Sequence, residues 1–343
     1  MGNLHEASVP PILRMAHPLA FAAFLKHIGA PADRQFRRQG LPQLCQDPNA
    51  FVPLRSAWAF FDAAARSEEP FLGWHVGRFV GDKNLNRSLL RKLEHAPTLY
   101  QALQRLIRMS YLEASHLTLG IRERRDDIIL FTHYTMMKDM PGYHTSQAYQ
   151  LGVLLDLIRH FIGAHWLPDE IGIEHPVVPA IAKALFPGSR ILARQQVGYI
   201  TIPRSCLPLV SLRDDSEECG QTPLPLAGRF GYVDTLGALL KPYVSSGRLS
   251  APFAARLMDT SLRTLKRRLA ASGATYRSVI DELRFREAKK LLENTSARVI
   301  DVAGAVGFDD PAHFARMFRR VSGLSPRQFR HHLQQSNSAD RPG

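Results

Sequence analysis

Cysteine is scarce in this chain, and what is present does not pair. Among 343 residues the cysteines are Cys45, Cys206 and Cys219. Their number is odd and their spacing wide, so neither a disulfide framework nor a zinc-binding pattern follows. A reducing cytoplasm and no structural metal are expected. Long apolar runs are missing too. The stretch 151–167 is interrupted by Asp156, Arg159 and His160, whereas a membrane helix needs ~20 predominantly apolar residues. The run 19–25 is too short and poorly flanked for a signal peptide. No membrane partner and no export are expected.

Catalytic motifs are equally wanting. There is no Walker A loop, Gly-x-Gly-x-x-Gly, His-Glu-x-x-His or Gly-x-Ser-x-Gly, which leaves the common nucleotide, zinc-protease and serine-hydrolase chemistries without their residues. His133 with Tyr134 on a strand, and Tyr143 with His144 before a helix, have the side chains for acid–base work. Isolated residues of this kind usually pack or hydrogen-bond, so no catalytic residue and no cofactor is assigned. His331-His332 reads as a solvated end and not as a metal site.

Negative charge is the last deficit. Lys and Arg number 44 against 31 Asp and Glu, a net +13. From Arg229 onward the counts are 20 against 10, and in the rest of the chain 24 against 21. A near-neutral region joined to a basic one points to a polyanionic partner for the second region only.

That basic region contains a repeat. Its first copy reads Ala254-Ala-Arg-Leu-Met-Asp-Thr-Ser261-Leu-Arg-Thr-Leu265-Lys-Arg267-Arg-Leu269, and its second Ala303-Gly-Ala-Val-Gly-Phe-Asp-Asp310-Pro-Ala-His-Phe314-Ala-Arg316-Met-Phe318. A shift of about 49 residues superimposes the small residue, the polar cap, two apolar anchors and an arginine. Each copy predicts a short helix, a tight turn and a second helix starting at a Ser or Asp cap. This is the pattern of a helix-turn-helix, whose second helix enters the DNA major groove.

Helical spacing places Leu262, Leu265 and Leu269 inward, leaving Arg263, Lys266, Arg267 and Ala270 outside. In the second copy Phe314, Met317, Phe318 and Val321 form the buried stripe, and Ala312, Ala315, Arg316 and Arg319 face out. One basic stripe alone can be a merely solvated face; its recurrence in the same orientation favours DNA. Between the copies, 276–293 predicts one amphipathic helix with Val279, Ile280, Leu283, Ala288, Leu291 and Leu292 on one side. At ~1.5 Å per residue such a rod approaches the ~34 Å between successive major-groove faces.

The run Ser261-x-Arg-Thr-Leu-x-Arg-x-Leu, then Gly273, Arg284, Ala288, Leu291-Leu292, Val302-Ala303, Gly307-Phe308, Phe314-x-Arg-x-Phe318, Gly323 and Ser325-Pro326-x-x-Phe-Arg330 closely resembles the AraC/XylS family of bacterial transcription regulators. Two departures stand out. Gly304 occupies a helix interior, at about 1 kcal/mol against Ala, and Ala312 stands where many members carry a longer polar residue. Further upstream, Gly40-Leu-Pro, Asp47-Pro, Val52-Pro, Pro70-Phe-Leu-Gly-Trp-His-Val-Gly77, Trp166-Leu-Pro and Leu185-Phe-Pro resemble the N-terminal arabinose-binding-like effector domain of one branch of that family. The resemblance implies a small-molecule sensor.

Periodicity assigns helices to 18–28, 31–39, 54–67, 71–79 and 98–110, a β-hairpin to 117–121 and 128–134, a helix to 147–165, and strands to 170–174 and 197–202 around a helix at 178–186. Acidic residues, Gly220, Pro223 and Pro225 mark a linker. The expected architecture is an α+β effector-binding and self-association domain at 1–212, a linker at 213–228, an all-α domain of seven helices with two helix-turn-helix units at 229–333, and a flexible tail at 334–343.

The expected function is sequence-specific regulation of transcription in a bacterial cytoplasm. The DNA-binding candidates are Arg263, Thr264, Lys266, Arg267, Ala312, His313, Arg316, Arg319 and Arg320. Arg263, Lys266, Arg267 and Arg316 have the donors that read guanine; Arg319, Arg320 and the amides at the helix starts suit phosphates, which position without specifying. Expected partners are double-stranded promoter DNA, a small-molecule effector, RNA polymerase in the case of an activator, and a second copy of the chain. Alternatives are a ligand-independent regulator and an enzyme with a DNA-binding appendage. Trp74, Tyr111, Tyr134 and Tyr149 suit a pocket or the core equally, so no ligand-binding residue is assigned.

Overall fold

The computed structural model describes residues 9–42, 47–67, 71–134, 137–212 and 231–339, the side chains of the last stretch as far as 333. They fall into two compact units, one within Pro11–Arg229 and one within Phe230–Gly343. The linker expected at 213–228 lies outside the described residues. No helix among them is long and apolar enough to cross a membrane.

In the first unit, helices α1 (Ala16–His27), α2 (Ala32–Arg38), α3 (Leu54–Ser67), α4 (Leu72–Val80) and α6 (Leu99–Met109) lie where periodicity puts them. Helix α5 (Arg87–Glu94) was not anticipated, although its signal is present. Asn86 accepts from the Ser88 and Leu89 amides, and Leu89 and Leu93 bury one face. The hairpin of β3 (Leu117–Glu123) and β4 (Asp127–Tyr134) belongs to a larger sheet, ordered β3-β4-β7-β5-β6. It is completed by β5 (Glu170–Gly172), β6 (Arg190–Leu192) and β7 (Gly198–Pro203). Strands β5 and β6 run parallel through the crossover helix α8 (Ala180–Leu185). Strand β6, like the separate pair β1 (Ile12–Arg14) and β2 (Phe51–Pro53), has three residues, too few to reveal a period of two. Helix α7 (Tyr143–Ile162) packs on β4, β7 and α4. It starts at Tyr143, earlier than expected, so Tyr143 and His144 form its first turn.

The Gly73-Trp-His-Val-Gly77 segment explains itself here. A Cβ on Gly77 would come within 2.8 Å of the Tyr149 carbonyl and 3.2 Å of the Gly152 Cα, and one on Gly73 would meet the Thr145 carbonyl. Glycines therefore let the α4 and α7 backbones touch, and the two helices form one slab beneath the sheet.

A buried charge cluster ties the start of the unit to its middle. Glu113 follows α6, and its Oε2 accepts from Arg14 Nε at 2.7 Å and lies 2.9 Å from His17 Nε2. Its Oε1 accepts from the Asn86 amide at 2.7 Å. His17 Nδ1 meets Tyr149 Oη at 2.9 Å, and Asn84 donates to the same phenol at 2.7 Å. Arg14 also donates to the Pro48 carbonyl at 3.2 Å and to that of Asn84. Burial pushes the Glu113 pKa up, but the Arg14 charge, the His17 contact and the Asn86 amide override it and hold the carboxyl at about 2. Burial draws the His17 imidazole below its ordinary value, against the pull of Glu113.

The second unit holds seven α-helices among the described residues, as expected: α9 (Tyr232–Leu240), α10 (Ala251–Leu257), α11 (Leu262–Ala271), α12 (Tyr276–Asn294), α13 (Val299–Ala305), α14 (Pro311–Ser322) and α15 (Pro326–Ala339). Helix α15 continues past residue 333, where the tail was expected to begin. Helix α12 packs against α9, α13, α14 and α15, burying Val279, Ile280, Leu283, Ala288 and Leu292. In α13, Gly304 is exposed and a Cβ there would meet nothing within 4 Å.

Two predictions follow from this packing. Gly77→Ala should cost ~1–3 kcal/mol by prising α4 from α7, while Gly304→Ala should stabilise α13 by ~0.4–1 kcal/mol. Denaturant unfolding, resolved by amide exchange within each unit, checks both; equal effects of the same sign would refute the contrast. The second prediction concerns acid. Both His17 and Glu113 have folded pKa values below their ordinary 6.5 and 4.5. Their stabilisation is therefore complete above those values and is lost as pH falls through the folded ones. The melting temperature of the first unit should decline below pH 6.5 and steepen from 4.5 towards 2. Glu113→Gln should abolish the steep part and cost ~3–5 kcal/mol at neutral pH, because Arg14 is left buried without its partner.

Candidate nucleic-acid interface and ligand cavity

Helix α10 is capped by Ser250, which accepts from the Phe253 amide at 3.3 Å. The chain then turns through Asp259 at φ 47°. Helix α11 starts after Ser261, whose Oγ accepts from the Thr264 amide at 3.1 Å. Leu265 and Leu269 are buried, as their spacing requires. Leu262 is not: it is 36% exposed, because a residue directly after the cap has no preceding turn to lie over. Arg263, Lys266 and Arg267 are all exposed, and among the described residues none of them has a carboxylate partner. Arg268 instead turns to the Tyr232 ring, 5.5 Å from its centroid. Thr264 is half-buried, its hydroxyl accepting from Ser261 at 3.0 Å.

The second copy is built the same way with one residue more. Helix α13 ends at Ala305, the chain turns through Gly307 at φ 79°, and α14 starts after Asp310, which accepts from the Ala312 amide at 2.8 Å. The bond from Thr260 to the Ala255 carbonyl matches that from Phe308 to the Ala303 carbonyl, an offset of 48. The caps Ser261 and Asp310 are offset by 49. The repeat is thus in register within each helix, and its turns differ in length.

In α14, Phe314, Met317 and Phe318 are buried and Val321 is half-buried. Ala312, His313, Arg316 and Arg319 are exposed. Two candidates are already engaged. Arg320 reaches Asp281 on α12 at 2.5 Å, and His313 lies 3.6 Å from Asp310. Capping also occupies the Thr264 and Ala312 amides, so fewer of the helix-start amides are free than the sequence implied. The exposed set on α11 therefore has three long cationic side chains, and that on α14 has two, Arg316 and Arg319. Between the two helix-turn-helix copies runs α12, whose 19 residues span ~28 Å at 1.5 Å each. Its start is closed by Thr275, which accepts from the Ser278 amide at 3.1 Å.

The first unit contains a partly open pocket. Leu13, Phe61, Leu106, Leu119, Val153 and Leu154 supply much of its wall, with Thr132, Tyr134, Ser146 and Gln150 at a polar end and His17, Glu113 and Tyr149 at the charge cluster. Tyr134 and Tyr149 thus belong to a pocket after all. Trp74 lines a second pocket with His144, Gln147 and His175, and Tyr111 lines neither. The other lining residues come from β1 to α7, so no sequence motif could have collected them. His133 faces Glu174 at 3.7 Å. Asp82, Asp156 and His160 place three potential ligand atoms within 4.8 Å of one another. His160 Nδ1 lies 2.9 Å from Asp82 and the Asp82 amide donates to Asp156.

Comparison with known proteins gives the same division of the chain. Residues 254–332 match a family model described as a helix-turn-helix domain. Residues 29–207, just over half of the chain, match one described as the N-terminal arabinose-binding domain of AraC transcription regulator. Among curated proteins, the ornithine utilization regulator of Pseudomonas aeruginosa is 39% identical over 77 residues, 22% of this chain and 23% of that protein. The transcriptional activator RhaS of Escherichia coli O139:H28 is 40% identical over 77 residues, 22% of this chain and 28% of that protein. The matched stretch thus spans only about a quarter of these relatives. A crystal structure of the transcriptional regulator CdpR from Pseudomonas aeruginosa aligns over 87% of this chain and 96% of that one, at 19% identity and a TM-score of 0.36. With an N-terminal match covering half its length and a helix-turn-helix match behind it, the chain belongs to the AraC family of transcription regulators.

Proposed function

We propose that this protein regulates transcription by binding double-stranded promoter DNA through α11 and α14, under the control of a small molecule held in its first unit. The observation that carries the reading is the duplicated, capped helix with an exposed cationic face that has no carboxylate partner among the described residues, Arg263, Lys266 and Arg267 on α11 and Arg316 and Arg319 on α14. Long donors on such a face can reach base edges in the major groove. On this reading Arg263, Lys266, Arg267 and Arg316 read bases, Thr264, Ala312 and His313 flank them, and Arg319 binds phosphate. Arg320 acts mainly by tying α14 to α12. The domain division is the effector and self-association region 1–212, the linker 213–228 and the DNA-binding region 229–333, in a cytoplasmic protein. A second copy of the chain is the proposed self-association partner. The family names a transcriptional activator among its members, and in that mode RNA polymerase is a further partner. A ligand-independent regulator, or an enzyme with a DNA-binding appendage, would differ in one assay: saturable ligand-induced stabilisation without chemical change of the ligand belongs to the sensor alone.

The DNA reading predicts a steep salt response, with log K against log[salt] falling by ~0.9 per neutralised phosphate. A flat response for the folded chain would overturn it. The unequal faces predict unequal half-sites. A bidentate contact discriminates by ~1–3 kcal/mol, and α11 has more long donors than α14. Arg267→Ala should relax base preference at defined positions, whereas Arg319→Ala should weaken all sequences alike and shallow the salt slope by about one unit. Selection from a randomised operator with wild type and both variants checks this; equal information in the two half-sites would contradict it. One residue inserted near Glu287 would rotate one reading helix by ~100° against the other. Specific binding should then fall far more than nonspecific binding.

A further inference from the structure

We propose that the pocket lined by Leu13, Phe61, Leu106 and Tyr134 takes a small uncharged molecule, mostly hydrocarbon, with a single oxygen set against Tyr134 and Gln150, and that it rejects sugars and carboxylates. This rests on the effector reading above and names the chemistry of the effector.

The charges at the cavity are spent before a ligand arrives. Glu113 receives Arg14 at 2.7 Å, His17 at 2.9 Å and the Asn86 amide at 2.7 Å. His17 turns its other nitrogen to Tyr149. A ligand carboxylate would face the Glu113 charge while the nearest cation, Arg14, is 2% exposed and committed to Glu113 and backbone carbonyls. Like charges in such a setting repel strongly, because little water screens them. A ligand ammonium would find Glu113 saturated and Arg14 beside it.

The polar end is a short relay. Thr132 Oγ1 donates to Gln150 Oε1 at 2.8 Å, and Gln150 Nε2 donates to Tyr134 Oη at 2.8 Å. The Tyr134 phenol also meets the Ser146 hydroxyl, so the relay ends in a Tyr134–Ser146 hydroxyl pair at the cavity wall. Burial raises the Tyr134 pKa, so the phenol proton stays in place at any physiological pH. One ligand oxygen, from a hydroxyl or a carbonyl, completes the arrangement. A sugar brings four or more hydroxyls to a wall built from Leu13, Phe61, Leu106, Leu119, Val153 and Leu154. Each hydroxyl buried there without a partner weakens binding by roughly ten-fold.

Calorimetric titration of the full chain with hexan-1-ol, hexanoate and L-arabinose tests the assignment. Hexan-1-ol should bind saturably, about ten-fold or more tighter than hexanoate, and arabinose should give no binding heat. Tyr134→Phe should weaken hexan-1-ol about five-fold and leave toluene unchanged, a contrast that mere loss of structure would not produce. Thr132→Val, which cuts the far link of the relay, should move hexan-1-ol the same way by less. Tighter binding of hexanoate or arabinose would overturn the ligand class while sparing the effector reading. So would loss of hexan-1-ol binding in His144→Ala with Tyr134→Phe unaffected, which would place the ligand in the second cavity. If no probe binds and operator affinity is intact, the cavity assignment falls and the ligand-independent regulator stands.

Discussion

Arg284 leaves the middle of α12 and ends in the turn between α13 and α14, where it donates to the Gly307 carbonyl at 3.1 Å. Its guanidinium lies 4.5 Å from the centroid of the Phe308 ring. That contact adds to the backbone bonds that close the turn, from Gly307 to the Gly304 carbonyl and from Phe308 to the Ala303 carbonyl. Gly307 adopts φ +79°, and a Cβ there would sit 2.8 Å from the Val244 carbonyl and 3.4 Å from the Arg284 guanidinium, so glycine lets the turn approach both. From the turn, order passes by aromatic contact. Phe308 meets Phe314, which meets Phe318, which lies between Phe285 of α12 and Phe329 of α15. Arg320 then pins the outer face of α14 to Asp281. The second reading helix is thus held to α12 at its start, along its buried side and near its end.

The first reading helix is held differently. It packs on α9 and α10, and Arg268 closes over Tyr232. None of its outward cations is drawn into an ion pair among the described residues. Each of the two helices commits one arginine to its packing, Arg268 on α11 and Arg320 on α14, and the outward cations that remain are three on α11 and two on α14. Fixing a face in place and leaving its charges available compete for the same side chains.

In the first unit the equivalent constraint is a carboxylate kept from water. A buried ionised group is tolerated only when donors surround it, and Glu113 gathers Arg14 and His17 from the β1–α1 junction and the Asn86 amide from the start of α5. Their convergence closes one side of the cavity and neutralises it at once. The Gly73 and Gly77 approach sets the depth of the α7 slab, and with it the distance from Val153 and Leu154 to the sheet.

Local sequence determined much of this protein. The caps Ser261, Asp310 and Thr275, the stripes of α11, α12 and α14, and the hairpin of β3 and β4 are each decided within one or two turns of chain, by side-chain oxygen to amide bonds and by periods of 3.6 and 2. A duplicated pattern of that kind marks the helix-turn-helix copies before any coordinates are known. Three-residue strands carry no period, so β1, β2 and β6 and the five-stranded order came only from pairing across the chain. Leu262 looked buried because periodicity counts spacing and not what lies above a helix's first turn. Whether Arg319 or Arg320 remains free was decided by Asp281, 39 residues from Arg320, and the cavity by residues from β1 to α7. Those are meetings between distant segments, and tertiary packing alone brings them together.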